Sequence, residues 1–147
     1  ESNEHLLLHS LGSGETGSKE EAGSNLSAGQ IVEHILADPC VTQHVTRTLQ
    51  GKTDTLVGYF RCEFVPGQQR LVLHVPMCPP MNGVPEVEAL VVDQSDCNLD
   101  ARIRVSDQQK FGIRLETVLA RPCRDAARIT IEVIVSASDE NSNSPLT

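Results

Sequence analysis

Three groups of residues in this 147-residue chain have the types and spacing to do chemistry. The first is the acidic loop Asp93-Gln94-Ser95-Asp96-Cys97-Asn98-Leu99-Asp100. Its crowded oxygens are the hard ligands that calcium takes six to eight at a time. The spacing is not that of an EF-hand loop, and Asp, Asn and Ser are equally the ordinary residues of a solvated turn. No metal is assigned to it. The second group is histidine. His5 and His9 stand four apart, as two ligands on one helix face would, but no third ligand accompanies them. His74 falls on the outward parity of a strand, opposite Arg61 and diagonal to Glu63 in the register set out below. A cross-strand polar contact is expected there, because no G-x-S-x-G or comparable nucleophile motif is present for a base to serve. No catalytic residue and no cofactor are expected. The third group is Arg102, Arg104, Arg114 and Arg128, whose guanidiniums suit carboxylate or phosphate. Glu86, Glu88, Glu116 and Glu132 share their outward parity, so cross-strand ion pairs are the expected partners.

The five cysteines, Cys40, Cys62, Cys78, Cys97 and Cys123, form no C-x-x-C pair, and an odd count leaves one thiol unpaired within the chain. If consecutive strands run antiparallel, the loops that hold Cys97 and Cys123 lie at one end of the fold. Cys78 then lies at the other end and Cys62 points into the core. A Cys97–Cys123 disulfide is the pairing to test, in an oxidising compartment, with separate thiols as the alternative. The compartment itself is left open.

The elements that must position these groups follow from periodicity. Residues 1–25 are rich in Ser, Gly and Glu and have almost nothing to bury, and residues 138–147 read alike, so both ends are expected to be disordered. Leu26 to Asp38 carries a helix signature: Ser27 caps, Gln30 completes a capping box and Leu26 staples to Ile31. Ile31, Val32, Ile35 and Leu36 give that helix one apolar stripe. For residues 40–50 the reading favours a second helix, with Val41, Val45 and Leu49 on one face. A strand would put Gln43 and Arg47 among those apolar residues, although Thr42, Thr46 and Thr48 are poor helix formers.

From Thr55 the period is two. Leu56, Phe60, Cys62 and Phe64 share a face, Pro66–Gln69 turns, and Leu71, Leu73, Val75 and Met77 share the next face. The parity flip predicts a hairpin with Val65 opposite Arg70, which sets Phe64 against Leu71 and Phe60 against Val75. Four further strands are expected at Glu86–Asp93, Ala101–Ser106, Phe111–Leu119 and Ala127–Ala137. Their inward sets are Val87/Ala89/Val91, Ala101/Ile103/Val105, Phe111/Ile113/Leu115 and Ile129/Ile131/Val133/Val135. The loop Cys78–Pro85 holds three prolines and cannot continue a central strand. The expected fold is therefore mainly β: an antiparallel six-stranded β-sandwich over residues 26–137 with a short N-terminal helical segment. Its outer faces also show Val57, Tyr59, Val72, Leu90, Val92 and Ile134, more apolar surface than solvent requires. The helix or another subunit is expected to cover some of them.

From Arg70 to Ala137 the pattern resembles the H-type lectin domain. The similar stretches are Leu71–Pro85 (LVLHVPMCPPMNGVP), the VEALVVD strand, Arg102–Leu115 (RIRVSDQQKFGIRL) and the ITIEVIVSA strand. The family's Gly-aromatic pair is inverted here as Phe111-Gly112. Where the family has a Trp after that strand, this chain has Val118-Leu119-Ala120-Arg121-Pro122-Cys123. The resemblance implies a six-stranded sandwich, a trimer, and binding of galactose-type sugars, with Asp93, Asp96 and Arg114 nearest to sugar-contacting positions.

Composition bounds the function. Twelve basic against twenty acidic residues give a net charge of −8, and aromatics make up 3% of the chain. Neither the counterion-displacing stripe nor the stacking platform of a nucleic-acid binder is present. Residues 1–25 alone hold five acids against one lysine, so the folded part is nearer balance. No apolar run approaches the ~20 residues of a membrane span. Leu6-Leu7-Leu8 lacks the basic start of a signal peptide, and the chain opens on Glu1, as a processed chain or a piece of a longer one would. The functional expectation is a non-enzymatic binding or assembly module, lectin-like and self-associating. A carbohydrate-binding domain for galactose-type sugars is the alternative.

Overall fold

The computed structural model describes residues 27–96 and 98–139. One helix, α1 (Ala28–Ala37), precedes seven strands: β1 (Gln43–Gln50), β2 (Thr53–Phe64), β3 (Arg70–Pro76), β4 (Glu86–Gln94), β5 (Ala101–Gln109), β6 (Gly112–Leu119) and β7 (Ala127–Ser138). They make two antiparallel sheets that face each other across one core, in the orders β1-β2-β7-β4 and β3-β6-β5. The mainly β reading holds, with seven strands in place of six. No described helix is long and apolar enough to cross a membrane.

The added strand is β1, where a helix was expected. Its Val45, Thr46 and Thr48 are β-branched and fit a pleated surface better than a helix. The two-residue loop Gly51-Lys52, with Gly51 at φ 60°, sets Gln50 opposite Thr53 and folds β1 back on β2. The polar residues that argued against a strand do share the inward parity. But β1 is an edge, so Val45 and Leu49 stay exposed, and Arg47 finds a partner on the same face. Its Nε and Nη2 bond the two Asp54 carboxylate oxygens at 2.9 and 2.6 Å, and its Nη1 donates to the Pro79 carbonyl.

The hairpin expected between β2 and β3 is also corrected. Phe60, Phe64, Leu71 and Val75 do pack into one core, but β2 pairs with β1 and β7 whereas β3 pairs with β6. Pro66–Gln69 is an arch that carries the chain from one sheet to the other. It is held by Gln68 N–H to the Val65 carbonyl at 3.0 Å and Gly67 N–H to the Cys123 carbonyl at 2.7 Å. An arch and a hairpin both turn two apolar faces toward one core, so side-chain parity reads the same for either.

β7 lies between β2 and β4 and provides the centre of the core. Its inward Ile129, Ile131, Val133 and Val135 have no exposed surface, and each such burial stabilises by about 1.5–3 kcal/mol. Cys62 is buried as expected. Phe111, expected inward, is 66% exposed. It sits in the turn before β6, where its carbonyl and that of Lys110 accept from Met77 and Met81 N–H. Met77 and Met81 are buried in the core in its stead.

α1 starts on the expected capping box. Gln30 N–H donates to Ser27 Oγ at 3.4 Å and Ser27 N–H to Gln30 Oε1 at 2.8 Å. The staple residue Leu26 lies outside the described residues. Ile35 is fully buried yet is not part of the inter-sheet core, and neither is buried Tyr59. Arg61, on the same outward parity of β2 as Tyr59, donates Nη1 to the Asp38 carbonyl at 3.0 Å and Nη2 to the Ile35 carbonyl. A cation on the last carbonyls of a helix satisfies them and complements the helix dipole. The last turn of α1 therefore rests on the outer face of the four-stranded sheet. At the other end Ser138 still belongs to β7, and Asp139 N–H donates to the Lys52 carbonyl at 3.4 Å. The expectations of disorder for residues 1–25 and 140–147 lie outside the described residues.

Candidate functional site

A cleft of about 740 Å³ opens at one end of the sandwich, between the loop after β4 and the loop from β6 to β7. Backbone bonds hold both walls. Ser95 N–H donates to the Arg128 carbonyl, and Arg128 N–H returns to Ser95 Oγ, both at 2.8 Å. Asp96 closes an Asx turn by accepting Asn98 N–H on Oδ1 at 2.9 Å. Ala120 N–H ties the second wall to the Asp100 carbonyl at 2.9 Å. Cys123 fixes the floor: its N–H bonds the Gln68 carbonyl at 3.1 Å, and its thiol donates to the Val65 carbonyl at 2.9 Å. The lining presents acceptors from Asp96, Asp100 and Asp125 and donors from Arg121 and Arg124, beside Leu99 and Leu119. Such a mixture can hydrogen-bond a neutral polyhydroxyl ligand in both senses. None of the described histidines lines it.

The anticipated site residues are dispersed. Asp96 lines this cleft. Asp93 is half-buried on β4 opposite Thr130. Arg114 is exposed on the outer face of the three-stranded sheet, five residues before Leu119 and so roughly 17 Å of strand from the cleft. The two loops predicted to share an end do meet here. Cys97 lies outside the described residues, and Cys123 carries a free thiol. Among the described residues no three His, Cys, Asp or Glu side chains gather closely enough to hold a metal ion. The sequence reading missed Arg121, Arg124 and Asp125. Their only signal is polarity in a turn, which every solvated loop shares.

The arginine face differs from its expected form. Arg70, Arg102, Arg104 and Arg114 lie on the outer face of the three-stranded sheet, around Glu116 on central β6. Glu116 is 7% exposed, although its parity is outward. Arg104 Nη2 donates to its Oε2 and Arg114 Nη2 stands 3.8 Å from Oε1. The Arg104 bond first, and the surrounding positive charge with it, hold the Glu116 carboxyl below the usual carboxylate range. His74 is exposed opposite Arg114, not Arg61. Arg128 belongs to the other sheet, 3.5 Å from Glu63, and Glu86, Glu88 and Glu132 are on that sheet too.

The anticipated apolar patch is divided. Val72 is on the outer face of the three-stranded sheet, while Val57, Leu90 and Ile134 share the outer face of the four-stranded one, and Val92 sits in a β-bulge of β4. Tyr59 is buried on that second face. Burial, and then its hydrogen bond to Glu132, push its hydroxyl up to about 12. Around it His44 Nδ1, Arg61 Nε and Thr130 Oγ1 are buried without a hydrogen-bond partner. Comparison of the chain with protein-family models, curated proteins and solved structures finds no match.

Proposed function

We propose that this chain is a non-enzymatic binding module of the β-sandwich type whose ligand seat is the cleft that residues 95, 96 and 98–100 form with the Leu119–Ala127 loop. The observation that supports this reading is the lining: Asp96, Asp100, Asp125, Arg121 and Arg124 border one space, with apolar Leu99 and Leu119 beside them. Opposed charges of that kind select a neutral ligand rich in hydroxyls over a polyanion or a cation, since each hydroxyl both donates and accepts. The ligand class is a carbohydrate, with galactose-type sugars the first to try in view of the lectin-like pattern of residues 70–137. Buried Tyr59 and outlying Phe111 leave no ring in the cleft to stack on a sugar, so affinity rests on the polar groups.

The test is amide chemical-shift perturbation of the chain on titration with galactose, glucose, mannose and their disaccharides. Saturable shifts confined to residues 95–100 and 120–127 are expected. Arg124→Ala should weaken binding by about tenfold or more, the equivalent of ~1.4 kcal/mol. Absence of shifts for every sugar, or shifts that Arg124→Ala leaves unaltered, sinks the reading.

A further inference from the structure

Two exposed faces of the molecule carry opposite charge. On the outer face of the three-stranded sheet, Arg70, Arg102, Arg104 and Arg114 outnumber Glu116 and Asp107. Arg70 and Arg102 form no ion pair among the described residues. On the outer face of the four-stranded sheet, Glu86 and Glu88 are exposed and likewise form no ion pair among the described residues. Leu90, the next outward residue of the same strand, is 48% exposed. α1 is anchored at Arg61 on β2, and among the described residues nothing covers Glu86, Glu88 and Leu90 of β4.

The two rows share a pitch. Outward residues of a strand recur every second position, roughly 6.6–6.8 Å apart. Glu86 and Glu88 have that spacing on β4, and Arg102 and Arg104 have it on β5; both strands are edges of their sheets. A β5 strand laid along a β4 strand of another molecule sets Arg102, which has no ion pair among the described residues, and Arg104, which Glu116 already holds from below, against two carboxylates whichever way it runs. Apolar neighbours correspond as well, with Leu90 beside the glutamates and half-buried Val118 beside Arg102.

We propose that a second copy of this chain occupies the arginine face: copies associate with Arg102 and Arg104 of one against Glu86 and Glu88 of the next. The contact uses different patches on the two copies; because β4 and β5 lie beside each other, two copies that exchange both patches close as a dimer, and copies that share one contact propagate into a ring or an open chain. At physiological ionic strength charges more than about 8 Å apart are largely screened, so the net negative charge weighs little against the contact. The surface is separate from the end cleft, and the association goes beyond ligand binding there.

Sedimentation velocity of the full chain over a range of concentrations tests this. The mass is expected to rise above the 16.0 kDa of one chain as concentration increases. Arg102→Glu alone and Glu88→Arg alone should each stay monomeric, because each loses one face and keeps the other. Mixed in equal amounts, the two variants should recover species of at least twice the monomer mass through their intact faces. Both positions are exposed, and circular dichroism checks the fold; if a reversal unfolds the chain, Arg102→Gln and Glu88→Gln should each weaken association several-fold. A wild type that stays monomeric at every concentration overturns the proposal. So does a folded variant that associates like the wild type, or a mixture of the two that stays monomeric.

Discussion

Gly58 is the one position on the inner face of β2 without a side chain, and the ring of Phe60 uses the space. A Cβ there would lie 2.5 Å from Phe60 Cε2 and 2.8 Å from Cζ. Phe60 is itself buried in the core, so the ring has little room to yield. Gly58→Ala is expected to destabilise by about 1–3 kcal/mol, as overpacking does. Urea unfolding measures it, and a change near zero would mean that the ring moves freely. The thiols give a second test at this scale. Burial pushes Cys62 up to about 11, whereas Cys40 and Cys78 are exposed. Since the thiolate is the nucleophile, iodoacetamide at pH 8 should label Cys40 and Cys78 promptly and Cys62 only on unfolding. Peptide mapping of the labelled chain shows the order, and early labelling of Cys62 would contradict the packing. Residues of this kind were legible: the alternation of Leu56, Phe60, Cys62 and Phe64 announces their burial. Glu116 was not, because outward parity says nothing of the arginines on both neighbouring strands that cover it.

Among the elements, β1 shows most clearly where a pattern misleads. Its inward Arg47 looks wrong for a strand until Asp54, one strand away on the same face, is seen to receive it at two points. An inward charge on an edge strand also discourages pairing with another sheet. The hydrogen bond from Arg47, larger than the opposing effect of burial, holds the Asp54 carboxyl below its ordinary 3.8. In the folded chain Asp54 therefore binds fewer protons than in the unfolded chain. The stability it contributes is present above pH ~4 and is lost as pH falls below it. Glu116 adds to the loss with the same sign. Acid unfolding followed by circular dichroism should give a shallower acid limb for Asp54→Asn than for the wild type, and an identical limb would refute the pairing. Strand pairing was the least legible property at this scale. Period two tells which face is buried but not which strand lies alongside, so the arch at Pro66–Gln69 read as a hairpin. The docking of α1 was foreseeable from Ile35 and the capping box. Its seat was not, because nothing in the pattern of α1 points to Arg61 on β2 as the group that receives its last carbonyls.

For the molecule as a whole, acidity proved a poor guide to its surfaces. The net charge of −8 conceals one outer face where arginines predominate and another where glutamates do. Only the assignment of strands to sheets separates them, because outward parity alone pooled Arg128, Glu86, Glu88 and Glu132 with the arginines of the other sheet. The cleft was half legible. Counting strand reversals put the loops of Cys97 and Cys123 at one end, but a single sequence cannot say that those loops enclose a space. The position of β7 has a consequence for the making of the protein. The four-stranded sheet is arranged around the strand that leaves the ribosome last of the seven. Until it arrives, β2 and β4 have no common neighbour and the edge that each turns toward β7 stands unpaired. A product cut short before Ala127 would leave that sheet without its middle, with β2 and β4 each presenting an open strand edge of the kind that recruits other chains.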